Sequence, residues 1–115
     1  MGDRRKSSRA QSIFDLQVVD TDRLKVIGTL ENVSTIGIGV IGEERVTLRK
    51  TYPLELIVPL EEGLTQRISF TAKCVWRRAD PDAVSYHSGF RFEHVAPTDK
   101  RALERLLADG FLLAR

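Results

Sequence analysis

Gln66-Arg67-Ile68-Ser69-Phe70-Thr71-Ala72-Lys73-Cys74-Val75-Trp76-Arg77-Arg78 is the longest alternating run in the chain. Ile68, Phe70, Ala72, Cys74 and Trp76 recur at every second position. Successive strand side chains point to opposite faces, so this pattern predicts a half-buried strand with those five residues turned inward. Ala79-Asp80-Pro81-Asp82 then turns the chain, and Tyr86–Val95 returns it with Phe90 and Phe92 on the inner face.

The preceding segments follow the same period over shorter lengths. Phe14, Leu16 and Val18 alternate with Asp15 and Gln17, which predicts a strand over Ile13–Val19 ending at the Asp20-Thr21-Asp22 turn. Arg23–Val33 predicts a second strand with Leu24, Val26 and Leu30 inward, and Gly28 inside it marks a bend or bulge. Gly37–Ile41 reads as a short strand and Val46–Leu48 as a brief one. Tyr52–Leu60 follows, bounded by Pro53 and Pro59, and Glu61-Glu62-Gly63 turns into the long run. No helical pattern separates these strands, so parallel βαβ units are excluded and an antiparallel sandwich or barrel remains. Closing the sheet would also remove its exposed edges.

Beyond Pro97 the period changes. Ala102, Leu103, Leu106, Leu107 and Phe111 share one face of a helix, with Thr98 the expected N-cap and Asp99 beside the positive end of the dipole. Residues 1–11 offer almost nothing apolar to bury and read as a flexible basic arm. The chain thus divides into an arm at 1–11, a β body at 12–96 and a helix at 97–115, all within one domain of 115 residues.

Composition narrows the function by exclusion. Hydrophobic residues at 42% and charged residues at 30% suit a soluble globular chain. No apolar run approaches the ~18 residues of a membrane span, and the N-terminus lacks the apolar core of a secretion signal, so a cytoplasmic location is expected. The single cysteine, Cys74, falls on the inner face of its strand and reads as an inert buried thiol. Cys74, His87 and His94 show no metal-ligand spacing, so no metal is expected. Paired carboxylates and a Ser-His-Asp arrangement are also missing. Asp80, Asp82 and His87 read as solvated loop residues, and the chain is not expected to be an enzyme.

Two short motifs carry the chemistry. Arg4, Arg5, Lys6 and Arg9 oppose only Asp3 in the first nine residues. By charge alone such a cluster reads first as a solvated tail and second as a nucleic-acid arm. After the second strand comes Asn32-Val33-Ser34-Thr35-Ile36-Gly37. In extended chain Asn32 and Ser34 point to one face, where an amide and a hydroxyl together can satisfy the edge of a guanine. Taken alone, Asn32, Ser34 and Gly37 read at least as readily as an ordinary polar turn joining two strands. Gly37 permits a positive φ or a close backbone approach, and Gly39 repeats that option. Gly37-Ile38-Gly39 lacks the rest of a phosphate loop and its following helix, so that motif is rejected.

Together Arg5-Lys6-Ser7-Ser8-Arg9 and Asn32–Gly37 read RxxxR followed by [D/N]xSxxG. In this the chain resembles the PilZ domain, the bacterial receptor module for cyclic di-GMP. The runs Cys74–Arg78 and Tyr86–Phe92 and the terminal helix resemble the end of that domain as well. The resemblance implies a mainly β fold, a small antiparallel split barrel of about six strands with a C-terminal α-helix. It implies cyclic di-GMP as ligand, with Arg5 and Arg9 on phosphate and guanine, Asn32 and Ser34 reading guanine, and Gly37 shaping the turn. Arg4, Gly39, Trp76 and Arg78 are further candidates; Trp76 reads as core, and would stack on a guanine only from the barrel mouth. Where many relatives carry Asp, this chain has Asn32, a neutral acceptor that weakens the contact.

The expected function is therefore a non-catalytic receptor, without cofactor or membrane insertion, whose arm orders around the ligand. A downstream effector in motility, biofilm or polysaccharide machinery would read the ordered state. A PilZ-like protein–protein adaptor without nucleotide is the alternative. A barrel for single-stranded nucleic acid ranks lower, because most of the aromatics fall on inward faces.

Overall fold

A computed structural model describes residues 16–82 and 84–108. Its six strands are β1 (Gln17–Asp20), β2 (Lys25–Val33), β3 (Gly37–Gly42), β4 (Thr51–Pro59), β5 (Thr65–Ala79) and β6 (Tyr86–His94). They close into a barrel in the order β1-β2-β3-β6-β5-β4, with every pairing antiparallel. A single 3₁₀ turn, Glu61–Gly63, links β4 to β5, and α1 (Pro97–Ala108) follows β6.

Alternation builds the core directly in β4 and β5. Tyr52, Leu54, Leu56 and Val58 are buried in β4, and Ile68, Phe70, Ala72 and Cys74 in β5. Each fully buried leucine contributes roughly 1.5–3 kcal/mol through the water it sheds. Pro53 is tolerated inside β4 because the pairing with β1 ends at Asp20↔Leu54, so no ladder partner needs its missing N–H. Burial pushes the pKa of the Cys74 thiol up, consistent with an inert side chain.

In β2 two bulges replace simple alternation. The partners of Val18 and Val19 are Gly28 and Val26, which leaves Ile27 as an extra residue; the partners of Val40 and Gly39 are Leu30 and Asn32, which leaves Glu31. The inward set becomes Ile27, Leu30 and Val33. Leu24 and Val26, expected inside, face solvent at 84% and 45% exposure. A bulge shifts the pleat by one residue and inverts every side chain before it. Gly28 sits at the first bulge as expected, where a Cβ would meet the Ile41 carbonyl oxygen at 2.5 Å.

Val46 and Leu48 do not form the brief strand expected of them. Residues 43–50 are a loop in which Val46 is buried and Leu48 exposed. Its backbone groups find partners off the ladder. The Arg77 guanidinium donates to the Val46 carbonyl at 2.6 Å, and the Thr47 amide donates to the Tyr52 hydroxyl at 2.8 Å.

In α1 the expected N-cap moves by two residues. The Lys100 amide donates to the Ala96 carbonyl at 2.8 Å, so Ala96 is the boundary and Pro97 takes the first helical position, where its fixed φ suits and its missing N–H costs nothing. Thr98 is therefore inside the helix. Asp99 instead accepts from the Ser69 amide at 3.0 Å and docks the first turn on β5. Ala102, Leu103 and Leu106 join the barrel core, with Leu107 partly buried against it. Phe111 lies outside the described residues.

Leu56→Ala is expected to lower unfolding free energy by about 2–5 kcal/mol in urea denaturation. Leu64→Ala, at a side chain 64% exposed, should change it by less than about 0.5 kcal/mol.

Candidate functional site

The outer face of β2-β3-β6-β5 carries the Asn32–Gly37 motif, and the barrel register arranges it in rows. Asn32 pairs with Gly39, Gly39 with Gly89, and Gly89 with Trp76, one residue from each of four strands. The two central positions have no side chains. The Asn32 amide lies over Gly39, where a Cβ would meet Oδ1 at 2.9 Å and Nδ2 at 3.0 Å. The Trp76 indole lies over Gly89, whose Cβ would collide with Nε1 and Cε2. The row is thus a pair of buried glycines covered by an amide from one side and an indole from the other.

Trp76 is 44% exposed, which corrects its expected place in the core. Cys74 pairs with Phe90 and Trp76 with Gly89, so Val75 is an extra residue and the strand changes phase between Cys74 and Trp76. Released from the core, the indole rests on the one residue of β6 that has no side chain. The Arg78 guanidinium stands 6.0 Å from the ring centroid, at cation–π distance. Two of the further candidates, Gly39 and Trp76, therefore share one row, with Arg78 at its edge.

Ser34 and Gly37 sit one step along the strands. The Ser34 amide donates to the Gly37 carbonyl at 2.9 Å, and the Ser34 hydroxyl accepts from the Ile36 amide at 3.2 Å. The hydroxyl proton is still available for donation. Gly37 has no positive φ. Its missing Cβ serves the close approach of β6, because a side chain there would strike the Phe90 carbonyl oxygen. Gly37 pairs with Arg91 and Arg91 with Lys73, so two exterior cations extend this row. Toward the strand ends, Ser34 and Thr35 line a cleft of about 490 Å³ shared with Phe92, His94, Lys100 and Leu103. Arg4, Arg5 and Arg9 lie outside the described residues.

Sequence reasoning missed Gly89, Arg91 and Lys73. Gly89 inside an otherwise regular strand was the available signal for a close approach. The two cations showed only as outward positions, since their neighbours depend on β3 pairing with β6.

His87 and Asp80 are not the solvated loop residues expected. His87 lies within β6, and its side chain is only 13% exposed between two carboxylates. Nδ1 is 3.0 Å from Glu31 Oε1, and Nε2 is 2.8 Å from Asp80 Oδ1. The Glu31 hydrogen bond, and after it that of Asp80, raises the imidazole pKa above its ordinary 6.5 against a desolvation that lowers it. The carboxylates occupy opposite sides of the ring and do not converge on one point. Among the described residues no group of three such side chains is arranged to hold a metal ion. Asp82 keeps its turn role, accepting from the Val84 amide at 3.0 Å.

What these rows offer chemically is an aromatic face, amide and hydroxyl groups for a base edge, and cations for an anion. Among the described residues no helix is long and apolar enough to cross a membrane. No curated protein sequence matches the chain. In three dimensions it is similar to the inhibitor of motility MotI/DgrA of Bacillus subtilis, with a TM-score of 0.63 at 20% sequence identity. That similarity covers 92% of this chain and 53% of the other, so the chain spans about half the length of that protein. The PilZ domain family profile matches residues 3–109. With nearly its whole length matched and a closed six-stranded barrel beneath the motif, the chain belongs to the PilZ domain family.

Proposed function

We propose that this chain is a non-catalytic receptor for cyclic di-GMP, which it binds on the outer face of β2-β3-β6-β5. PilZ domains form a family of cyclic di-GMP receptors and adaptors, and this is the receptor reading. The observation that carries it is the row Asn32–Gly39–Gly89–Trp76, in which a hydrogen-bonding amide and an exposed indole lie over two paired glycines on one outer face. A planar purine stacked on the exposed Trp76 ring has the Arg78 guanidinium beside it, and Asn32 and Ser34 at its edge. Phosphate falls to Arg5 and Arg9, with Arg4 adjacent, and within the barrel to cations that flank Gly37.

Arm ordering supplies the signal. Fixing each arm residue costs about 1–2 kcal/mol of backbone entropy, so only a ligand gripped by both arm and barrel offsets it. The ordered arm then presents a surface that a cytoplasmic effector protein reads, and the likeness to an inhibitor of motility makes the motility apparatus the first candidate. The population shift is limited by the ligand's preference for the ordered state.

Calorimetric titration with cyclic di-GMP should give saturable binding that is lost in both Arg5→Ala and Ser34→Ala. Trp76 is the only tryptophan, so its fluorescence should change in the same titration. No heat and no fluorescence change at high ligand concentration would leave the adaptor reading in its place.

Asn32→Asp is expected to tighten binding about fivefold, the difference between a charge-assisted and a neutral hydrogen bond. Unchanged or weaker affinity would show that Asn32 does not read the guanine edge.

A further inference from the structure

We propose that His87, held between Glu31 and Asp80, is a positioning residue that fixes the presentation of Asn32 and makes nucleotide affinity fall as pH rises. The proposal rests on the cyclic di-GMP reading above and adds a group outside both motifs.

Hydrogen-bond chemistry fixes the protonation state. An ionised carboxylate only accepts, so each ring nitrogen that faces one must donate. With Glu31 Oε1 at 3.0 Å and Asp80 Oδ1 at 2.8 Å, both nitrogens must carry protons. Either neutral tautomer would satisfy one carboxylate and set a lone pair against the other. The fitting species is the imidazolium.

The location links this cluster to the site. Glu31 is the extra residue of the second β2 bulge, immediately before Asn32. As the extra residue it faces no cross-strand partner in the ladder, and the His87 ring is what holds its side chain. Asp80 directly follows β5, the strand that carries Trp76 and Arg78. One imidazolium therefore ties the bulge behind Asn32 to the end of the strand bearing the indole.

Among the described residues, the charges that face the ring from neighbouring elements are few. Glu31 comes from β2, Asp80 from the end of β5, and Arg78 is the cross-strand partner on β5. On β3 the cross-strand neighbour is Ile41, which does not titrate. Two carboxylates against one exposed guanidinium favour the charged ring, in keeping with its raised pKa. Because the folded-state pKa lies above the ordinary 6.5, the cluster is fully formed below that value and opens as pH rises through the folded one. Asn32 then loses its support, and ligand binding should in turn raise the imidazole pKa by the same coupling.

The test uses the whole chain. Cyclic di-GMP affinity is measured by calorimetry from about pH 6 to about pH 8.5, the range in which histidine changes charge. The His87 ring and the Asn32 side-chain amide are followed by NMR over the same range without ligand. The expected result is an affinity that falls with the His87 titration, about tenfold for each unit by which ligand raises its pKa. The Asn32 amide signal should track the same midpoint in the free protein. His87→Arg keeps a cation between the carboxylates and should flatten the pH profile. His87→Gln should bind weakly already at low pH. The other histidine is His94, and His94→Gln should retain the pH dependence. Binding that is indifferent to pH in the wild type, or a profile that persists in His87→Arg, would overturn the proposal and leave the receptor reading intact. Absence of binding at every pH would remove both.

Discussion

The pairing of β3 with β6 is the contact on which the site depends. The barrel consists of two three-stranded meanders, β1–β3 and β4–β6, joined along β3–β6 and β1–β4. Asn32 and Ser34 belong to the first meander, Trp76, Arg78 and Arg91 to the second. They share a face only because β3 and β6 run side by side with glycine at Gly37, Gly39 and Gly89. Side chains there would meet the Phe90 carbonyl, the Asn32 amide and the Trp76 indole. The absence of side chains at Gly39 and Gly89 lets the amide and the indole lie down on the sheet and approach one another.

The strands, their antiparallel order and the terminal helix were legible in the sequence wherever alternation was unbroken. Tyr52–Val58 and Ile68–Cys74 are inward as their period says. The side chains assigned to the wrong face fall at the bulges. Leu24 and Val26 lie before one, and Trp76 after another, so a count by twos carried each to the wrong face. A bulge is set by what the neighbouring strand needs, and a local pattern contains little of that information. Gly28 betrayed the first bulge because glycine itself marks it, while Val75 gives no such mark.

The candidate site divides the same way. Asn32, Ser34 and Gly37 lie within one short segment, so their grouping is visible in the local sequence. Gly89, Arg91, Lys73 and the Glu31–His87–Asp80 cluster depend on contacts between strands distant in sequence. His87, just after the start of its strand, read as solvated; the hairpin brings Asp80 back onto its ring. Two of the four bulges border the site. Glu31 aims Asn32 outward and Val75 frees Trp76, so departures from regular pairing create both walls.

The central claim is that the outer face of β2-β3-β6-β5, and no other surface of the barrel, receives the guanine nucleotide. Amide NMR shift mapping during addition of cyclic di-GMP tests it most directly. Perturbations should concentrate at Asn32, Ser34, Gly39, Gly89 and the Trp76 indole N–H, with β4 nearly silent. Saturable shifts centred on β4 or on the β4–β5 turn, with Gly39 and Gly89 unmoved, would contradict it.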